Sequence, residues 1–203
     1  MYVVSQESVS DTFSRLAIAL AAQPASVWET PSLCVGWRVR EVIAHVTMFA
    51  RMTDEEFDSE LDRYGGDFQR MSDTVASRDA DLAIAAHLRN LQSDALAQWK
   101  PPDGGVMGAL HHAVVHALDV TNAAAMDPPC SAEVALAILE NLTTNQVALR
   151  FDVSLENLRL HATDLTWTWG GGESEIVDSS GHLISLMCGR TLKGGRSLTS
   201  QDH

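Results

Sequence analysis

The sequence LHHAVVHALDV, residues 110–120, places three histidines within seven positions of an otherwise apolar segment. On a helix, His112 and His116 are separated by one turn and face the same side, whereas His111 is rotated away from them. Two imidazoles in this arrangement can bind one divalent metal ion, and a ligand from another segment would complete a site with open coordination positions. The segment therefore predicts a helix over roughly residues 106–125 that carries part of a metal site.

A third ligand is available in REVIAHVTMFARM, residues 40–52. His45 shares a helical face with the apolar residues Val42 and Val46, so its imidazole is expected to face the interior. Glu41 lies one turn earlier and could be a fourth ligand or a hydrogen-bond acceptor beside the metal. The two segments together predict a site between two helices.

The predicted site consists of His45, His112 and His116, with Asp119 beside it. Asp119 follows His116 by three residues and can accept a hydrogen bond from the imidazole N–H that does not face the metal. Three nitrogen ligands suit zinc, and nickel, iron or copper would also accept them. A second interpretation stays open, because a histidine on an apolar helical face is often a hydrogen-bonded core residue.

Composition limits the class of protein. The chain has 203 residues, of which 45% are hydrophobic and 20% charged, which suits one globular domain with a real core. A net charge of −13 and the lack of a basic run argue against nucleic acid or an anionic membrane as a partner. The sequence shows no secretory signal and no apolar run of transmembrane length. Three widely spaced cysteines are typical of a reduced protein, and we expect an acidic, soluble, cytoplasmic protein.

Apolar periodicity predicts a bundle of helices over residues 1–150, with short connections as in an up-and-down arrangement. The predicted helices cover residues 5–22, 39 to beyond 61, 67–77, 79–99, 106–125 and 131–146.

Residues 151–193 differ from the bundle, because apolar and polar residues alternate there and glycines interrupt the pattern. We expect a small strand–strand–helix appendage, with strands near 158–162 and 165–169, a short strand-like segment at 175–177 and a helix at 179–192. The polar residues 194–203 are predicted to form a mobile tail. The fold class is thus mainly α, with a small C-terminal α+β segment.

Separated motifs along the chain occur in a recognisable order: WETPSLCVGWRVREVIAHV (28–46), YGGDFQRMSD (64–73), LHHAVVHALDV (110–120), LRLHATDLTWTWGGG (158–172) and GHLISLMCGR (181–190). Together they resemble the mycothiol-dependent maleylpyruvate isomerase family, part of the DinB-like metalloenzyme superfamily. The resemblance implies a DinB-like up-and-down four-helix bundle that holds a divalent metal through three side chains from two helices. It places the first ligand at His45 and the last at His116.

The chain departs from the isomerase that gives the family its name. That enzyme has a glutamate as the middle ligand, whereas this chain has His112, so the ligand set is neutral and should favour a bound thiolate over water. The C-terminal segment is also shorter than in that isomerase. Its final GR pair places the family's arginine at Arg190, which is expected to pair with a carboxylate of the substrate or cofactor.

The resemblance implies an enzyme that uses a low-molecular-weight thiol, with mycothiol as the first choice. The thiolate would add to, or substitute at, an electrophilic carbon of a small organic substrate, giving isomerisation or S-transfer. In this hypothesis Asp119 orients a metal ligand and Arg190 anchors an anion. Two alternatives remain: a hydrolase that activates water, with Glu41 as general base, and a non-enzymatic metal- or thiol-binding protein. The sequence leaves the substrate, the metal and the oligomeric state, including a homodimer, open.

Overall fold

A computed structural model describes residues 4–102, 104–144 and 147–199, and this part of the chain is mainly helical. The α-helices are α1 (Gln6–Ala21), α2 (Val39–Val46), α3 (Asp54–Arg63), α4 (Phe68–Asp79), α5 (Ile84–Leu91), α6 (Asp94–Gln98), α7 (Gly105–Ala124), α8 (Ala132–Thr144) and α9 (Ser180–Met187). The strands are β1 (Leu158–Ala162), β2 (Thr168–Gly170) and β3 (Ser174–Asp178), and short 3-10 helices cover Ala25–Glu29, Met48–Ala50 and Val147–Phe151.

Helix α7 is the central element of the bundle. It packs along α1 and also contacts α2 and α9, and for this reason most of its residues between Ala109 and Ala123 are buried. A helix that is covered on several sides needs an apolar sequence. The polar residues of α7 are therefore exceptions to its general pattern. The predicted mainly helical bundle with a small C-terminal α+β appendage is confirmed. No helix in the described ranges has both the length and the apolar character needed to cross a membrane.

The segment predicted as one helix from residue 39 to beyond residue 61 is two helices, α2 and α3. A 3-10 turn at Met48–Ala50 separates them. Helix α3 begins at a capping box. The Thr53 hydroxyl accepts a hydrogen bond from the Glu56 backbone N–H, and the Glu56 carboxylate accepts one from the Thr53 backbone N–H. Because the apolar periodicity continues across this break, the sequence pattern gave no indication of it.

The prediction of one helix over residues 79–99 is wrong in the same way. Helix α4 extends to Asp79, and α5 and α6 follow as separate short helices. The Ser93 hydroxyl accepts the Leu96 backbone N–H and thereby begins α6.

The appendage contains a three-stranded sheet in the order β2-β1-β3, followed by α9. Strand β1 pairs antiparallel with β2, so that Leu160 lies opposite Trp169, and parallel with β3. Gly170 has φ +79°, and a Cβ there would lie 2.2 Å from the Leu158 carbonyl oxygen, so this turn requires glycine. Helix α9 packs against α7 and α8 and attaches the appendage to the bundle.

The chain after α9 returns to the appendage. Arg196 forms an ion pair with Asp178, and Thr199 forms a β-bridge with Val153. Residues 200–203 of the predicted tail lie outside the described residues. The division at residue 150 and the mobility of the tail stay predictions.

Candidate metal centre

The structure brings together the three histidines that the sequence predicts as metal ligands. His45 comes from α2, and His112 and His116 come from α7. Their available ring nitrogens all lie within 4.8 Å of one another. The Nε2 atoms of His45 and His112 are 3.3 Å apart, and the His116 ring centroid lies 4.8 Å from each of the other two rings.

Neighbouring polar groups fix two of the three imidazoles. The Ser72 hydroxyl of α4 lies 2.8 Å from His45 Nδ1, and the Asp119 Oδ2 atom lies 3.0 Å from His116 Nδ1. Because Nδ1 of each ring is occupied, Nε2 of each ring is left to face the cluster. His112 Nδ1 is buried and has no hydrogen-bond partner in the described part of the chain.

Burial sets the charge state of two of the three histidines and, with its partners, that of Asp119. Desolvation lowers the pKa of His45 and of His112 well below the usual value, and the nearby His116 lowers both further. The two imidazoles are therefore neutral, which is the form that binds metals. For Asp119, burial alone would raise the pKa, but hydrogen bonds from His116 and Arg190 outweigh it and hold the carboxyl well below its usual range.

This donor set fits a divalent metal. One ring nitrogen from each of the three histidines is available within 4.8 Å of the others, and an ionised carboxylate stands behind one of the rings, as is usual for histidines that bind zinc. The residues that would hold the ion are His45, His112 and His116.

A second group of possible ligands, Cys34, His116 and Asp119, also lies within 4.8 Å. The Arg190 guanidinium, however, donates to both oxygens of Asp119, at 2.7 and 2.9 Å, and the Cys34 thiol donates to Oδ2 at 3.0 Å. Burial, followed by the negative charge of Asp119, raises the pKa of Cys34, which keeps the thiol protonated. A cation would have to displace Arg190, so the three histidines form the better site.

The structure does not bring Glu41 into the histidine cluster. Its carboxylate accepts the backbone N–H of Arg38 at 2.8 Å and the Arg38 Nε–H at 3.1 Å. These bonds form a capping arrangement at the first turn of α2, where a negative charge is favourable. The geometry gives Glu41 a role in beginning the helix that carries His45.

Arg190 lies next to the cluster, and the carboxylate it contacts belongs to the chain itself. Besides its two bonds to Asp119, its Nη1 donates to the Cys188 carbonyl oxygen at 3.1 Å. The family resemblance implied a carboxylate partner for Arg190 on the substrate or cofactor. The structure links Arg190, Asp119 and His116 in one chain of hydrogen bonds.

The cluster lines a cavity of about 1980 Å³, which is larger than the roughly 300–1,000 Å³ typical of small-molecule sites. Aromatic rings form the wall nearest the histidines: Trp37 lies 5.1 Å from His45 and Trp99 lies 5.1 Å from His112, measured between ring centroids. Phe49 stacks on Trp99 at 3.9 Å. The cavity has room for a polar organic molecule as well as a metal ion.

Sequence reasoning missed three contributors to the site. It gave no role in the site to Ser72, Cys34 or Trp37. All three lie in the motifs that carry the family resemblance, at 28–46 and 64–73, and this position was the available signal. Spacing alone could not find them, because their distance from α7 depends on tertiary packing.

The fold and the site define a class: a helical-bundle protein with a partly buried three-histidine cluster capable of binding a metal. Residues 9–175 match the family model described as the mycothiol maleylpyruvate isomerase N-terminal domain. The chain belongs to this family, and the predicted resemblance is confirmed. Comparison with curated proteins and with solved structures found no match.

Proposed function

We propose that the protein is a divalent-metal-dependent enzyme that activates a low-molecular-weight thiol, with mycothiol as the first choice. Its reaction would be the isomerisation of, or S-transfer to, a small electrophilic organic substrate. The observation that carries the proposal is the cluster of three imidazoles, one buried and two half-buried, in the wall of a large cavity. Membership in a family named for mycothiol and for an isomerase supports the choice of thiol and reaction class.

In this proposal the three histidines bind the metal ion, and neighbouring side chains orient their imidazoles. His45, His112 and His116 would hold the ion, for which zinc is the first choice and nickel, iron or copper are alternatives. When bound, such a cation lowers the pKa of a coordinated thiol and stabilises the thiolate. Ser72 and Asp119 hold two of the imidazoles in position. A ligand set without a negative charge favours an anionic sulfur over water.

The cavity wall has two further functions in this proposal. Trp37 and Trp99 cover the histidines with apolar surface and limit the access of water. Lys100 and Arg150 are exposed cations that line the same cavity, and neither has an ion-pair partner among the described residues. They could hold an anionic part of the substrate, a role that we also retain as a proposal for Arg190.

A comparison of thiols tests the function. The purified, metal-loaded protein is incubated with monobromobimane and with mycothiol, glutathione or bacillithiol in parallel, and each rate is corrected for the spontaneous reaction. We expect turnover above that background, with mycothiol preferred, and its loss in His116→Ala. Metal-dependent turnover of electrophiles or esters without any thiol would instead favour the hydrolase alternative. Binding of the metal or thiol without turnover would favour a non-enzymatic role.

A further inference from the structure

The Asp119 carboxylate accepts hydrogen bonds from three segments of the chain. Its side chain is fully buried, and its Oδ1 accepts the Arg190 Nε–H at 2.7 Å. Its Oδ2 accepts three donors: Arg190 Nη2 at 2.9 Å, His116 Nδ1 at 3.0 Å and the Cys34 thiol at 3.0 Å. The metal-site histidine therefore shares one oxygen atom with a cysteine from the loop before α2.

This loop is held in place independently of the thiol. The Leu33 backbone N–H donates to the backbone carbonyl of Asp119 at 3.0 Å, and the Cys34 N–H donates to the Ser32 hydroxyl at 3.1 Å. Gly36, with φ +81°, completes the turn. Hydrogen bonds from the loop's backbone N–H groups thus place Cys34 against Asp119, and the thiol contact follows from the loop conformation.

We propose that Cys34 is a positioning residue for the metal site. Its S–H bond holds Asp119 Oδ2 in the orientation that accepts the His116 Nδ1–H, and so keeps His116 Nε2 directed at the metal. The proposal rests on the metal site of the proposed function. Cys34 is not a ligand in this arrangement, because its sulfur lies 3.8 Å from His116 Nδ1, the nitrogen that does not face the cluster.

Two substitutions separate the hydrogen bond from the volume of the side chain. Cys34→Val fills nearly the same space without a donor, and Cys34→Ser keeps a donor in nearly the same place. Cys130→Val is the matched control, since Cys130 is also a half-buried free cysteine but belongs to the connection between α7 and α8. If Cys34→Val does not fold, Cys34→Ala takes its place.

The first measurement uses metal-free protein. Nitrogen NMR of histidine-labelled protein at neutral pH reports which ring nitrogen of His116 carries the proton. We expect one tautomer, protonated at Nδ1, in the wild type, in Cys34→Ser and in the Cys130 control. A mixture of tautomers is expected in Cys34→Val. A merely structural role of the cysteine would not change this signal.

The second measurement is zinc affinity, determined by competition with a chromophoric chelator. Groups that hydrogen-bond directly to a metal-binding histidine typically contribute 10–100-fold in affinity, and a residue acting one step further away should contribute less, about threefold to tenfold. We expect this loss in Cys34→Val, and an affinity within about twofold of the wild type in Cys34→Ser.

Three outcomes would overturn the proposal. One is an unchanged tautomer and affinity in Cys34→Val, and another is an equal loss in the serine and valine variants. The third is a sulfur-to-metal charge-transfer band in the cobalt-substituted wild type without added thiol, because that band would make Cys34 a ligand. A wild type that binds no metal would remove the proposed function, and the tautomer measurement would still decide the role of Cys34.

Discussion

The three histidines differ in the group that holds their outer nitrogen. His116 donates to an ionised carboxylate, His45 meets a neutral hydroxyl, and His112 Nδ1 has no partner among the described residues. A carboxylate acceptor makes an imidazole more basic and a stronger metal ligand. His116 should therefore contribute most to metal affinity.

Single substitutions in α7 test the ligand assignment. His112→Ala and His116→Ala should each reduce metal content to a trace, because two remaining nitrogens bind far more weakly than three. His111→Ala should keep about one metal per chain, since His111 stacks on Phe151 with an angle of 6° between the rings and does not join the cluster. Elemental analysis of the purified proteins measures this. Equal loss in all three variants would contradict the assignment.

The substitution His112→Glu tests how the charge of the ligand set affects the pKa of a bound thiol. It introduces a negative charge beside the metal while keeping three ligands, so the metal should remain bound. The added charge should weaken the attraction of the metal for a thiolate and raise the pKa of a bound thiol. We expect the pH profile of thiol-dependent activity to move upward. An unmoved profile in a variant with full metal content would show that the thiol does not bind the metal.

Local sequence signals predicted some features of the helices and the site, and tertiary packing decided others. The spacing of His112 and His116 on α7 was sufficient to place both on one face, because helical geometry fixes it. The breaks before α3 and α6 also have local causes, the caps at Thr53 and Ser93, but the apolar pattern outweighed them. The approach of Cys34 to α7 has no local signal, since contacts distant in sequence produce it.

Helix α5 gives a prediction on pH and stability. The His87 Nε2–H donates to the Ala80 carbonyl at 3.2 Å, the ring stacks on Trp28 at 5.5 Å, and burial lowers the pKa of His87. The unfolded chain binds the proton more readily, so the stability due to neutral His87 is complete above about pH 6.5. It is lost as the pH falls from there through the lowered pKa of the folded state.

Replacing His87 by glutamine should flatten this dependence, because glutamine keeps a donor for Ala80 and does not titrate. Urea unfolding midpoints at pH 7.5 and pH 5 provide the measurement, with His161→Gln at an exposed position on β1 as control. If His87→Gln loses as much stability between the two pH values as the wild type, other groups cause the acid dependence.

The site joins segments of the chain that are distant in sequence. The bundle supplies the three histidines, and the C-terminal appendage supplies the Arg190 guanidinium that neutralises Asp119. Cations that line the cavity also contrast with a net charge of −13 for the chain. The appendage, which packs against the bundle through α9, is therefore part of the electrostatics of the centre.

Arg190→Ala tests this coupling. It leaves the buried Asp119 carboxylate without its counterion, a change that costs about 3–5 kcal/mol for a fully buried pair. Because the Arg190 side chain is 20% exposed, we expect a smaller decrease of about 2–4 kcal/mol in the free energy of unfolding. Metal affinity should fall as well, since Asp119 loses its fixed orientation. Chemical denaturation and chelator competition measure the two effects.

Two further variants identify the cause of the decrease in stability and in metal affinity. Arg190→Lys should recover only part of it, because one ammonium cannot bond both carboxylate oxygens as the guanidinium does. Combining Arg190→Ala with Asp119→Asn should recover stability but not metal affinity, since a neutral amide needs no counterion and is a weaker acceptor for His116. If Arg190→Ala keeps its stability and its metal but loses kcat/KM, the guanidinium binds a carboxylate of the substrate or cofactor instead, which is the role that the family resemblance implies.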